Sequence, residues 1–220
     1  MLAWEKGVKT KSDHNSGVDR RPRVFLLSPA HLGGERARIL LRDEARFDLA
    51  TRVKSQDGAP VGEIFAFLSG LYFRGKLTYA AAFAAAPAPE IAPAYVITSN
   101  RGLVTVHTHY NKEQLLQLGT VDIDASDERY RKPLAKDARA LKRKIDGADV
   151  VLLGSVASLK YIEVLDEIFG EQLVFPIDFV GRGDMSRGAI MLGAARSGVE
   201  LPYVAVADVV GDKLLKCRAR

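Results

Sequence analysis

The sequence predicts a single-domain α/β protein built on a mostly parallel, twisted mixed sheet with helices on both faces. Three observations carry that prediction. Short continuous apolar runs at 24–27, 95–98 and 148–153 have the length and composition of buried strands, stretches of helical period lie between them, and each run stops abruptly in small or polar residues. Strands that alternate with helices at this spacing form right-handed βαβ units, and these cover a parallel sheet on both sides.

The elements follow in order. Residues 1–22 carry Lys6, Lys9, Lys11, Arg20 and Arg21 among Gly, Ser, Asn and Asp with few apolar residues, the composition of a disordered basic arm. The domain proper is expected over 23–220. Val24-Phe25-Leu26-Leu27 is the first strand and ends at Ser28-Pro29-Ala30. Apolar residues Ala37, Leu40, Leu41, Ala45, Leu49 and Val53 then recur at helical spacing, predicting one helix over 35–53. A second helical pattern over 61–86 is interrupted near Gly70 and predicts helix, loop, helix. The three prolines Pro87, Pro89 and Pro93 predict an exposed connection over 84–93. Tyr95-Val96-Ile97-Thr98 is the next strand and stops at Ser99-Asn100-Arg101-Gly102. A helix over 127–145 has a cationic face and a narrow apolar stripe of Leu134, Ala138, Leu141 and Ile145. The run 148–153 is the central strand and leads into Gly154-Ser155. A helix over 157–169 follows, closed by Gly170 in a left-handed cap, then a strand over 173–175. Last come the segment 181–188, a helix to about Arg196 and a strand near 203–206.

Charge and cysteine content narrow the function classes. The chain has 220 residues, 32 Lys and Arg against 27 Asp and Glu, and a formal charge of +5, a mild excess that favours anionic partners. Its single cysteine, Cys217, excludes an intramolecular disulfide and a cysteine-based metal framework. No early run resembles a signal sequence, and no apolar stretch approaches the roughly 20 residues that span a bilayer. The expected setting is cytoplasmic, with no membrane contact and no obligate protein partner.

Ligands of parallel sheets bind at the carboxyl ends of the strands, and here three ends are polar: Ser28, then Ser99, Asn100 and Arg101, then Gly154 and Ser155. They are expected to converge on one cleft. In the segment 181–188, glycines permit close backbone approach while Arg182 and Arg187 offer planar donors to phosphate oxygens, with Gly183 between them at a helix start. The alternative is a capped turn whose arginines pair with nearby acids. The glycine spacing fits neither a Walker loop nor a dinucleotide fingerprint, so no cofactor is expected. Lys160 and Tyr161 follow Ser155 closely enough to bring a cation and an aromatic face to the same ligand, although Tyr161 is equally readable as a packing residue. Arg74 and Lys76 flank Gly75 beside Tyr72 and Phe73, as on a surface that stacks single-stranded bases, or as ordinary cations at a helix end. His107 and His109 make an incomplete metal site, and no metal is expected. His31 is a possible base for Ser28 without the flanking glycines of a hydrolase elbow. Asp122 and Asp124 read as a solvated strand edge rather than glycosidase acids. No catalytic residue is assigned.

Taken in order, these blocks resemble the YaaA peroxide-stress family of bacterial proteins. Leu26-Leu27-Ser28-Pro29-Ala30 is similar to the family's opening strand and Ser-Pro-Ala-Lys turn, and 66–77, with Tyr72 and Gly75, to its Phe-x-Gly-Asp-Val-Tyr-x-Gly-Leu stretch. The segments 97–104, 151–161 and 182–190 are similar to its Ile-Leu-Ser-Gly-Leu-Tyr-Gly, Asn-Leu-Ala-Ser-x-Glu-Tyr and Ala-Arg-Gly-x-Met-Ala-Arg segments. His31, Ser69, Leu71, Leu159 and Lys160 depart from the pattern, as in a divergent relative. The resemblance implies a mixed α/β fold, a positively charged cleft, DNA binding and protection against oxidative damage. It implicates Ser28, Tyr72, Gly75, Ser155, Tyr161, Arg182, Gly183 and Arg187. The expected function is nucleic-acid binding through a basic cleft, with a part in oxidative-stress or DNA-damage protection; the alternative, from the polar strand ends, is an enzyme acting on a nucleoside or nucleotide, such as an N-glycosidic-bond hydrolase.

Overall fold

A computed structural model describes residues 21–156 and 159–209; most of the expected basic arm, and Cys217, lie outside them. Near the start of the described residues the Pro22 carbonyl accepts from Asp149 N–H at 2.9 Å. Strand β1 (Arg23–Leu27) has all five residues buried, which accounts for its unbroken apolar run. It lies inside a six-stranded sheet, parallel to β3 (Ala94–Ile97) on one side and to β6 (Asp149–Leu153) on the other. Beyond β6 comes β7 (Leu173–Pro176), also parallel. The two edges are antiparallel, β4 (Leu103–Thr105) beside β3 and β8 (Tyr203–Ala205) beside β7, giving the order β4-β3-β1-β6-β7-β8. Helices surround the sheet, and the α/β architecture is the one the sequence predicts.

Local expectations are refined, and short strands are added to them. The helix expected over 35–53 is two helices, α1 (Glu35–Leu41) and α2 (Asp48–Lys54). The turn between them is held by cations on its carbonyls: Lys54 Nζ donates to Asp43 O at 3.0 Å and Ala45 O at 2.6 Å. Ala37 and Leu40 before the break, Ala45 within it and Leu49 and Val53 after it are all buried, so the apolar spacing does not reveal it. In the second helical region the break is the single residue Gly70, at φ +59°, between α3 (Val61–Ser69) and α4 (Leu71–Phe83). Helix α4 then runs through Gly75 without interruption. The connection over 84–93 is only partly exposed, because Ala85 bridges to Arg23 and Ile91 is buried. Finally, β4 and the short pair β2 (Ala59–Pro60) with β5 (His109–Tyr110) are two or three residues long, too short for periodicity to register.

The remaining helices are α5 (Lys112–Leu118), α6 (Glu128–Lys142), α7 (Leu159–Phe169) and α8 (Asp184–Ser197). Helix α6 buries the expected stripe of Leu134, Ala138 and Leu141, and Gly170 takes the expected left-handed conformation at φ +55°. Part of the cationic face of α6 is engaged by α7: Arg131 pairs with Glu163 at 3.0 Å and Glu167 at 2.8 Å, and Lys142 Nζ donates to the Ile168 carbonyl, while Lys132, Lys136, Arg143 and Lys144 are exposed.

The contact that positions the site is between α4 and α8, the most extensive in the molecule. A Cβ on Gly75 would lie 2.9 Å from the Gly188 carbonyl oxygen, and one on Gly188 would lie 2.9 Å from the Leu71 carbonyl oxygen. The two backbones touch, which only glycine at both positions permits. Gly75→Ala and Gly188→Ala must push the helices apart, and each is expected to destabilise the protein by about 1–3 kcal/mol. Gly193 of α8 has no neighbour within 4 Å of its Cβ position. Gly193→Ala is expected to stabilise by about 0.4–1 kcal/mol, and urea unfolding of the three variants checks the contrast in sign.

Candidate functional site

Because β3, β1 and β6 are neighbours and parallel, their carboxyl ends share one edge of the sheet, as the polar strand ends suggested. Ser28 follows β1 and its N–H donates to Leu153 O of β6 at 3.2 Å. Gly154 continues β6 so close by that a Cβ there would sit 3.1 Å from Ser28 Cβ and 3.3 Å from its Oγ. This glycine therefore leaves room for the Ser28 side chain. Above the strand ends opens a cleft of about 460 Å³ whose walls include Ala30, His31, Phe65, Ser99, Asp122 and Tyr161.

Lys76 reaches Ser28 from α4. Its Nζ lies 2.6 Å from Ser28 Oγ, 2.9 Å from Ser28 O and 3.8 Å from the centroid of the Tyr72 ring. The side chain is 1% exposed. No carboxylate among the described residues lies within ion-pair distance of it. Burial pushes the Lys76 ammonium down from 10.5 to about 7; Asp184 acts in the opposite sense, while Arg187 and Lys160 add to the effect. Near neutral pH this amine therefore exchanges a proton, unlike an ordinary lysine.

Arg187 enters from α8, also buried. Its Nε donates to Phe179 O at 3.2 Å and its Nη1 lies 3.7 Å from Asp184 Oδ1. Tyr161 lines the cleft and is 4% exposed, and Tyr72, 6% exposed, packs its ring against Lys76. Burial raises both phenols, opposed at Tyr72 first by Arg187 and at Tyr161 by Ser28. The Tyr72 hydroxyl is buried and makes no complete hydrogen bond. Ser28, Tyr72, Lys76, Tyr161 and Arg187 thus form one donor-rich cluster, with Gly75 setting its helix and the half-buried Ser155 and Lys160 beside it.

Other expectations are redrawn. Tyr72, Phe73 and Lys76 are buried, so no base-stacking surface exists there; only Arg74 is exposed on that turn. The segment 181–188 is not one loop, since α8 begins at Asp184 with Gly183 as its N-cap residue, and Gly188 meets α4 rather than a ligand. Arg182 is exposed and lies 3.3 Å from Ser186 Oγ. Ser99 Oγ donates to Leu118 O at 2.5 Å, Asn100 Nδ2 to Gln117 O at 2.9 Å and Arg101 Nη2 to Gln117 Oε1 at 3.0 Å, so this strand end is tied to α5. The partner of Ser28 is Lys76, not His31, which is exposed on the cleft wall. Asp124 lies in a turn, accepting from Ser126 N–H at 2.9 Å, and no strand edge forms there. His107 and His109 do not share a strand, and no group of three metal-ligating side chains occurs among the described residues.

Lys76 as a buried group beside Ser28 is what sequence reasoning missed. Its signal was present: Tyr72, Phe73, Lys76, Tyr79, Ala80 and Phe83 recur at helical spacing, placing the lysine inside an apolar stripe. Comparison with protein families, with curated proteins and with solved structures finds no match for the chain.

The lowered Lys76 value has a thermodynamic consequence. Between about 7 and 10.5 the unfolded chain holds a proton on Lys76 that the folded protein does not, so this group makes stability rise with pH across that window. Its slope approaches about 1.4 kcal/mol per pH unit at mid-window. Lys76→Met is expected to remove that slope, measured by urea unfolding at several pH values.

Proposed function

We propose that the strand-end cleft holds a nucleoside or nucleotide and that the protein acts on it as an enzyme. The supporting observation is Lys76: a fully buried amine with no carboxylate partner among the described residues, beside a serine at the carboxyl end of a central parallel strand. Burying such a group costs stability, and sites that accept that cost are typically functional. Arg187 and the two phenols add donors suited to an anionic group, while Phe65 and Tyr161 offer aromatic walls for a flat ring. Asp122 brings a carboxylate to the same cleft, as hydrolysis of an N-glycosidic bond requires.

A second reading is nucleic-acid binding, as the resemblance to the YaaA family implies, with a part in protection against oxidative damage. The net charge of +5 and the exposed Arg74, Arg101 and Arg182 favour it. The two readings separate in one set of titrations. Mononucleotides and nucleosides are expected to bind saturably to wild type and at least tenfold more weakly to Lys76→Met, with Arg182→Ala unchanged. Labelled duplex or single-stranded DNA that binds tightly, loses affinity steeply between two salt concentrations and is released by Arg74→Ala/Arg101→Ala/Arg182→Ala would favour the second reading.

A further inference from the structure

We propose that Ser28 is a nucleophile with Lys76 as its general base, and that the cleft performs acyl transfer, hydrolysing an ester or activated amide through a Ser28 acyl-enzyme. The inference uses the cleft of the proposed function as the ligand site but does not require the ligand to be a nucleotide.

The geometry is that of a nucleophile and base already in contact. Ser28 Oγ and Lys76 Nζ are 2.6 Å apart, within the range expected for proton transfer. Ser28 is fixed on three sides: its N–H is held by Leu153 O, its carbonyl by Lys76, and its Cβ and Oγ lie against Gly154. Lys76 is held as firmly: its Nζ bonds both Ser28 oxygens and lies 3.8 and 5.4 Å from the Tyr72 and Phe73 ring centroids, with Asp184, Arg187 and Lys160 acting on it through space. An amine so placed, when neutral, directs its lone pair to the Ser28 hydroxyl proton. The Tyr72 hydroxyl, buried and without a complete hydrogen bond, is a spare donor of the kind that stabilises an oxyanion. Pro29 and Ala30, the two residues that follow Ser28, line the cleft together with Tyr161, while Ser28 itself is 5% exposed and adjoins that wall.

The chemistry balances without a further reagent. Ser28 Oγ attacks the acyl carbon as its proton passes to neutral Lys76, and the carbonyl oxygen becomes an oxyanion. The oxyanion collapses, the bond to the leaving alkoxide or amine breaks, and Lys76 returns the proton to it. Water then attacks the Ser28 ester as Lys76 again accepts a proton, and when this second tetrahedral intermediate collapses Lys76 passes that proton to the departing Ser28 Oγ, releasing the carboxylic acid and restoring both the serine and the neutral amine. The net reaction consumes one water.

The test is incubation of the full chain with a fluorophosphonate and, separately, with p-nitrophenyl acetate, followed by intact mass and peptide mapping. One adduct on Ser28 is expected, forming faster as pH rises through about 7, absent in Ser28→Ala, and slowed on the order of 10²–10⁴-fold in Lys76→Met. No adduct, an adduct elsewhere, or a Lys76→Met rate equal to wild type overturns the proposal and leaves Lys76 a strut for the Ser28 turn. Should Lys76→Met fail to fold by circular dichroism, the wild-type pH profile decides, a flat profile being the overturning result. Nucleotide titration of wild type and Ser28→Ala separates the two proposals. Labelling without nucleotide binding retires the nucleotide reading alone, and nucleotide binding without labelling retires the nucleophile.

Discussion

The backbone contact between α4 and α8 at Gly75 and Gly188 is the constraint on which the rest of the site depends. Side chains one residue or one turn from that crossing point have their positions set by it. Tyr72 and Lys76 flank Gly75, and Arg187 adjoins Gly188. Two helices separated by ordinary side chains stand roughly 8–10 Å apart, whereas helices meeting at glycines come closer and bring short-range groups into register. Gly154 applies the same logic at the strand end, where the missing Cβ makes space for Ser28. Three glycines from distant parts of the chain thus converge on one cluster, each by absence.

The cluster concentrates donors where the interior offers few acceptors. Lys76, Arg187, Tyr72, Tyr161 and Ser28 all carry hydrogens, while Asp184, the one acid acting on Lys76, stands largely in solvent at the start of α8. A protein selecting only for stability would place a leucine or methionine at the Lys76 position. Local violations of good packing chemistry of this kind are expected where a site is held ready for something that arrives from outside. The aromatic rings over Lys76 offset part of the cost by attracting the ammonium when it is charged, yet they supply no acceptor, so the amine remains easy to deprotonate.

Much of the fold was legible in the sequence because buried parallel strands are unbroken apolar runs: 24–27, 95–98 and 148–153 each mark a strand to within about one residue of its observed limits. The break between α1 and α2 was not, because Ala45, Leu49 and Val53 face the core in either arrangement. At the site, Ser28, Tyr72, Gly75, Tyr161 and Arg187 were legible as members, but not the way they face. Charge suggested that Lys76 and Arg187 point outward, and only helical spacing among aromatic neighbours argued otherwise. The strand end at Ser99, Asn100 and Arg101 looked available because its partners, Gln117 and Leu118, lie 16 to 19 residues away in sequence. Arg131 on the cationic face of α6 is tied for the same reason, its acids Glu163 and Glu167 lying on α7.

The far end of α4 is secured differently. Leu201 N–H donates to Tyr79 Oη at 2.9 Å, Tyr79 lies 2.7 Å from Tyr203 Oη, and Tyr203 donates to Glu200 at 2.8 Å, where Arg23 also arrives at 2.5 Å. Since each phenol has one hydrogen, the chain has one direction: Tyr79 donates to Tyr203 and Tyr203 to the carboxylate. This relay ties the start of β1, the middle of α4 and the approach to the edge strand β8 into one cooperative unit. Edge strands are ordinarily the first part of a sheet to fray. Here the edge strand's hydrogen-bond anchor, Tyr79, sits on the same helix as Lys76 and one turn from it, so the sheet edge and the buried amine share one support.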